Sequence, residues 1–390
     1  MKFDRVPAFV RLLAILSMLL PASLSAQSLD MFAGTGLSIG NSRRWNGLRI
    51  NFRDRAVEQV NGINVTLWEA KENPDFTMNG MALGIFGPRA ARLNGIALGL
   101  GGVIAEDRLR GIGIGGLGIV SQGGIEGFAL AGLGTVTQGD LRGLSIGGLG
   151  VVSQGHIQGI ALAGLGAVVE GDMNGIGLAG LGVVSQGGMN GIVAAGLGTV
   201  AQGHVRGIAL AGLGTVSQGS ITGIGVAGLG LVAQGDVKWL NIAGIAVVAQ
   251  NRVEGVTLTP GAVVGNRGVR GITVGGLAIV GGAGPVRGLA LSLGAVESPD
   301  RIAGLATGAY RIRTPEFSGG AVSIAMTRFR DLDGLAVGAY NEVRGRQRGI
   351  TVGVYNRTEE LNGVQIGLLN YAANNRAPFR WLPLINAHFD

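Results

Sequence analysis

The spacing of one tripeptide constrains this chain more than any other feature. Gly-Leu-Gly recurs with its first glycine at 116, 132, 148, 164, 180, 196, 212 and 228, sixteen residues apart each time. Gly244-Ile-Ala and Pro260-Gly-Ala keep the register more weakly, and Gly276-Leu-Ala restores it. A fixed period this short marks a repeat whose unit cannot fold alone, so neighbouring units must stack to make a core.

The positions within a unit, numbered from its opening glycine (Gly111, Gly127, Gly143 and so on), have distinct tastes. Position 2 is Ile, Leu, Val or Phe, position 4 is almost always Ile, Leu or Val, position 7 is nearly always Leu and position 10 is Val. Positions 3, 9, 11, 14 and 16 vary among small and polar residues, and position 15 is Ile, Leu, Met or Val. Alternation at 2 and 4 is a strand period. Gly at 6 and 8, and Gln-Gly at 12 and 13, mark two corners, because glycine takes up turn conformations that other residues resist. Helices are excluded, since each glycine would cost a helix about 1 kcal/mol.

These features predict an all-β chain, a parallel β-solenoid (β-helix) of about 21 Gly-rich coils with a sixteen-residue period. Equivalent residues then stack in columns. The valines from Val120 through Val200 to Val264 are expected to line the interior, and the glutamines from Gln122 to Gln250, with Glu170 as the exception, to form an amide ladder at a corner. On this assignment Val200→Asp disrupts folding and Thr199→Asp, expected on the outer face, does not. The alternative is an outer-membrane β-barrel. Positions 2 to 11 match the 9–11 residues of a spanning strand, but the unvarying register, the 5% aromatic content and the lack of long loops speak against it.

The remainder of the chain divides around this array. Residues 1–26 read as a signal peptide: Lys2 and Arg5, an apolar run from Ala8 to Leu20 and small residues up to Ala26, with cleavage after Ser25 or Ala26. Residues 27–110 hold degenerate coils, opening at Asn46-Gly, Asn61-Gly, Asn79-Gly and Asn94-Gly, and a cap. Residues 111–287 are the regular array, in which Trp239 stands where an opening glycine is due, and 288–390 hold irregular coils, opening at Gly288, Gly304, Gly320, Gly334, Gly349 and Gly363, and a second cap. Segment Trp381–Ile385 is expected to fold over the last coil. The net charge of +7 is not a nucleic-acid signal, because between Gly111 and Gln250 the only charges are Glu126, Asp140, Arg142, Glu170, Asp172, Arg206, Asp236 and Lys238. Arginines cluster at the ends instead (Arg43, Arg44, Arg49, Arg53 and Arg55; Arg311, Arg313, Arg328, Arg330, Arg344, Arg346, Arg348 and Arg357) and read mainly as solubilising charge on terminal coils. With no Cys, the chain has neither disulfides nor thiolate metal sites.

Three late units, Gly334-Leu-Ala-Val-Gly-Ala-Tyr-Asn341, Gly349-Ile-Thr-Val-Gly-Val-Tyr-Asn356 and Gly363-Val-Gln-Ile-Gly-Leu-Leu-Asn370, resemble a bacterial surface-repeat family first described in spirochaetes, with units of the form Gly-apolar-x-apolar-Gly-apolar-x-Asn. The ending Pro378-Phe-Arg-Trp-Leu-Pro-Leu-Ile-Asn-Ala-His-Phe389 is similar to that family's C-terminal close. The match is good over 334–390 and partial over 46–100, and the middle departs from it by losing Asn. The resemblance implies export and an envelope or surface location. It carries no activity and no site residues.

Candidate chemistry is sparse. Strings such as Gly113-Ile-Gly-Gly-Leu-Gly118 echo a dinucleotide-binding turn, but they recur in every unit with no helix after them. His156 and His204 share position 14 three coils apart, and His388 stands alone, so no metal site is expected. Glu170 with Asp172, and Asp140 with Asp172 two coils apart, approach the carboxylate spacing of polysaccharide-cleaving enzymes, yet Arg, Lys and aromatic subsites are missing beside them. The sequence thus points to a non-enzymatic, exported structural or surface repeat protein of the bacterial envelope, a rigid rod with an adhesive or scaffolding role at the cell surface, outer membrane or periplasm. No catalytic, cofactor or metal residue is assigned. The partners open to it are envelope polymers, a membrane surface or a second copy meeting the uncharged array. A polysaccharide-active β-helix enzyme is the less favoured third class.

Overall fold

In the computed structural model, which describes residues 29–30, 34–71 and 73–389, strands account for all the regular structure and no helix is present among the described residues. The signal-peptide reading falls on residues outside these. The chain is a parallel β-solenoid of about 19 turns with a sixteen-residue period. The last opening glycine, Gly363, stacks on Gly349 and lies in a strand closed by an antiparallel partner. Contacts divide the chain into two compact units, meeting between Gln138 and Gly139, each built from the same kind of coil.

A regular coil has two strands. In one turn of the second unit, Met189–Ala195 is the longer and Gly198–Ala201 the shorter. Met189–Ala195 pairs in parallel with Met173–Ala179 and with Val205–Ala211, residue for residue at a step of sixteen. The short strands make a second parallel ladder, Gly182–Ser185 with Gly198–Ala201 and then with Gly214–Ser217. Antiparallel neighbours, which a membrane barrel needs, occur only at Leu29–Asp30 against Thr35–Ile39 and at Tyr340–Ala372 against Trp381–His388 among the described strands. The barrel alternative is therefore displaced. The C-terminal strand covers the open edge of the last coil, as Trp381–Ile385 was expected to do, and protects it from pairing with another chain.

Two glycine positions make such coils possible. Gly191 opens its turn at φ +122°, a bulge in the long strand, and a Cβ there would stand 2.1 Å from the carbonyl oxygen of Gly175. Gly196, at the corner, would place a Cβ 2.0 Å from the carbonyl oxygen of Gly180. A side chain at either residue would need the coil beneath to shift, and within the array only Trp239 and Pro260 depart from glycine in these two columns. In the irregular region the opening residue is Gly319 and not Gly320, since Gly319 has the positive φ and pairs with Gly304 and Gly334.

The faces of the coil are the reverse of the expectation for most columns. Position 15 is buried as read, with Ile157, Met173, Met189, Ile221 and Val237 at 0–1% exposure. The other inward columns are positions 3, 5, 9 and 11: Ala161 and Ala209, Ala195 and Ala211, Val183 and Thr199, Ser185 and Ser217. Val200, by contrast, is 42% exposed, and the rest of the valine column faces outward with it. Leu165, Leu181 and Leu197 at position 7 are exposed to a similar extent, and Ile and Leu at positions 2 and 4 also point out. The reason is size. Two sheets set close enough to share narrow corners leave room for little beyond Ala, Ser and Thr at positions 3, 5 and 11, while Val, Leu, Ile and Met fill positions 9 and 15. Gly177 shows the limit, since a Cβ there would meet Met173 Sδ at 2.3 Å.

Several polar groups inside the coil bond a corner carbonyl or one another. Ser153, Ser185 and Ser217 donate to the corner carbonyls of Gly139, Gly171 and Gly203 at 2.8–3.0 Å, and Thr199 Oγ1 bonds Thr215 Oγ1 at 2.9 Å. No bond joins the corner glutamines 122 to 250, which are exposed. Amide ladders form elsewhere. Asn61, Asn79 and Asn94 each donate to the asparagine one turn before, starting at Asn46, at 2.6–2.8 Å. Asn341, Asn356 and Asn370, the asparagines of the surface-repeat motif, form a buried ladder through bonds of 2.8 and 2.7 Å.

Candidate functional site

Four places were singled out by the sequence or stand out in the structure. The first is the corner at position 14. Asp140 Oδ1 accepts from the N–H of His156 at 3.0 Å, His156 Nδ1 from the N–H of Asp172 at 2.9 Å, and Asp172 Oδ1 from the N–H of Gly188 at 2.7 Å. His204, Ser220 and Asp236 repeat the bond at 2.9, 3.0 and 3.1 Å. Each side chain caps the backbone of the next coil. A histidine that accepts at Nδ1 carries its proton at Nε2. The bond from His156, opposed by the cost of burial and helped by Arg142, holds the Asp140 carboxyl below its ordinary value. A general acid needs the opposite shift. The structure brings Asp140, His156 and Asp172 together, with His156 Nδ1 3.7 Å from Asp172 Oδ2, but as a staple between coils. No group of three or more His, Asp or Glu among the described residues is placed to hold a metal, and His388 Nδ1 lies 2.6 Å from Asn375 Oδ1 at the far end.

The second place is the arginine-rich beginning. Arg43 and Arg44 reach Glu58 at 2.8 and 2.6 Å, and Arg53 donates to the Glu69 carbonyl at 2.9 Å. With Arg55, Lys71, Asp75 and Arg89 they line an open polar cleft of about 1140 Å³. Arg49 is the exception to the surface reading: at position 3 it points inward, is 0% exposed, and bonds Asp54 at 2.5 Å and Asn64 at 2.7 Å. Asp54 in turn accepts from Asn51, Asn64 and Thr66. A charge without those partners could not be held in so apolar a coil.

The third place is the C-terminal group of charges. Here Arg side chains pair with carboxylates within and between coils: Arg328 of the coil before and Arg344 of the same coil flank Glu342 at 2.7 and 2.9 Å, Arg346 reaches Glu360 on the next coil, and Arg311 pairs with Glu297 on the coil before. Tyr340, Tyr355 and Trp381 stack beside them, with ring centroids 5.4 and 6.2 Å apart.

The fourth is the outer wall of the second unit, which the inward reading of Leu and Val hid. Around one coil the outward positions run 16, 2, 4, 7, 10, 12 and 14. Positions 2, 4, 7 and 10 are apolar, and 12, 14 and 16 are polar. From the turn opening at Gly143 to that opening at Gly271, nine turns, no charged residue stands on the four apolar columns. At about 4.8 Å per turn the wall is roughly 40 Å long, and it wraps roughly 20 Å around the coil. Monomeric soluble proteins rarely expose apolar patches beyond a few hundred Å². A shallow groove of about 900 Å³ runs along it between the position-4 and position-7 columns, over Gly148, Gly164, Gly180, Gly196 and Gly212. Half of the position-16 column beside this wall, from Arg142 to Arg287, is Arg or Lys.

Compared with family models, with curated proteins and with solved structures, the chain matches none. The resemblance to the spirochaete surface-repeat family therefore rests on the sequence motifs alone, good over 334–390 and partial over 46–100.

Proposed function

We propose that the chain is a non-enzymatic, exported structural repeat protein of the bacterial envelope, serving at the cell surface, outer membrane or periplasm as a scaffold or adhesive element. The observation that carries this reading is how the polar side chains of the array are spent. At position 14, Asp140, His156, Asp172, His204, Ser220 and Asp236 each accept a backbone N–H of the next coil, and at position 11 serines bond corner carbonyls. Groups used in this way hold coils together and are not free to converge on a substrate. The late units and ending that resemble the surface-repeat family support an envelope location, as does the leader-like start.

Export is tested by expressing the full chain in a Gram-negative host, fractionating the cells and measuring the intact mass. The expected result is a product in the envelope fractions starting at Gln27 or Ala26. An uncleaved chain in the cytoplasm would refute export.

A further inference from the structure

The column of opening residues is glycine throughout the array with a single break, Trp239. Its neighbours Gly223 and Gly255 sit at φ +125° and +102°, and Trp239 adopts φ +86° in the same place. Left-handed backbone is strained for a bulky residue, and such strain persists where something else is gained. Packing is not the gain, because Trp239 is 71% exposed.

Its surroundings indicate what the gain is. On the long strand Trp239 lies between position 16, Lys238, and position 2, Leu240, so it stands on the border between the basic row and the apolar wall. That row stacks Arg142, Gln158, Asn174, Asn190, Arg206, Thr222, Lys238, Glu254, Arg270 and Arg287 in register, five cations to one anion. Lys238 and Arg142 have acidic neighbours at 3.0 Å. Arg206, Arg270 and Arg287 make no ion pair among the described residues.

We infer that this wall docks onto an anionic lipid bilayer, with the solenoid lying along the membrane, the Leu corner immersed, Trp239 at the headgroup level and the basic row on lipid phosphates. Charge complementarity selects this occupant, since a cationic row bordering an apolar strip fits anionic headgroups above acyl chains. A tryptophan with its ring at the boundary is the usual anchor of such an interface. Shape argues against a second copy. The wall bends around the Leu corner, apolar on both flanks, and a flat partner laid on positions 2 and 4 leaves the Leu corner and the Val face uncovered. Fluid acyl chains cover all of it. The inference rests on the envelope reading above, and fails separately from it: fractionation tests export, vesicle binding tests the surface.

The experiment is flotation of the purified full chain with vesicles of phosphatidylcholine alone or with one third phosphatidylglycerol. The wild type should float with both, and more tightly with the anionic ones. Trp239→Gly should weaken binding by about tenfold while raising the thermal midpoint, because strain is relieved and the anchor is lost. A variant serving only the fold would not separate these readouts. Arg206→Glu, Arg270→Glu and Arg287→Glu combined should bind anionic vesicles at least about a hundredfold more weakly and leave binding to neutral ones in place. Wild type that stays behind with both vesicles, or Trp239→Gly that binds as well as wild type, overturns the inference. So does a lipid-free dimer that Leu165→Ser, Leu181→Ser and Leu197→Ser together dissociate without altering flotation, since the wall would then belong to a second copy.

Discussion

Thr199 and Val200 are adjacent on the short strand Gly198–Ala201, and they carry opposite burdens. Thr199 is 0% exposed, its hydroxyl bonded to Thr215, while Val200 looks outward from a column of valines. A carboxylate at 199 would enter a closed interior with no cation to meet it, whereas at 200 it would reach water. Thr199→Asp should therefore destabilise by at least about 3 kcal/mol, and Val200→Asp by less than about 1 kcal/mol. Urea titration of the two variants decides this, and equal midpoints would refute the assignment of faces. The sequence concealed this arrangement for a physical reason. A pattern of Ile, Leu and Val at fixed places is ordinarily an interior pattern, and here it marks an exterior. The better guide was the restriction on size: positions 3, 5 and 11 hold mostly Ala, Ser, Gly and Thr, the residues that a narrow space between two sheets can take. Arg49 was hidden in the same way, since its partners Asp54 and Asn64 are what allow a guanidinium inside the coil.

The asparagines of the late units show how a repeated residue becomes a device that joins coils. Asn356 accepts from Asn341 at 2.8 Å, donates to Asn370 at 2.7 Å, and shares its amide with the Ile366 carbonyl at 2.9 Å. All three asparagines are buried. Asn356→Ala would leave both neighbours and a carbonyl without that partner, at a cost of about 1–3 kcal/mol for an unmet buried group and more when several are lost together. A loss of about 3 kcal/mol in chemical denaturation is expected, and one below 0.5 kcal/mol would show that the ladder is not structural. This element was legible as a motif, Gly-apolar-x-apolar-Gly-apolar-x-Asn, but its mechanism was not, because sequence spacing does not say which way an amide points. The corner glutamines make the same point from the other side. They keep an equally strict period and stay in solvent without bonding one another, while the less regular position 14 supplies the bonds between coils.

Across the molecule, the carboxyls of Asp140, Asp331 and Glu342 are held below their ordinary values, so stability should respond to acid through a few identifiable carboxylates. Burial alone would push the Glu342 carboxyl up, but hydrogen bonds from Arg344 and Arg328 outweigh it and hold the group below its ordinary value. Asp331 is likewise lowered, by Arg330 and the N–H of Arg346 against burial, and Asp140 by the N–H of His156. A carboxyl whose folded value is depressed binds protons more readily in the unfolded chain. Its contribution is complete above the unfolded value, about 4.3 for Glu and 3.9 for Asp, and is lost as the pH falls through the lower folded value. The thermal midpoint should thus be level through neutral pH and decline below roughly pH 4. Glu342→Gln should lower the midpoint at neutral pH and flatten the acid limb, because the variant has no proton left to take up there. Arg328 ties Glu342 of the next coil and the Arg346 N–H ties Asp331 of the coil before, near the C-terminal closure, so acid should open that end first. Hydrogen exchange followed against pH would locate the loss. Protection lost first in the strands around Asn174 and Asn190 would contradict the argument, because no arginine–carboxylate pair among the described residues ties the coils there.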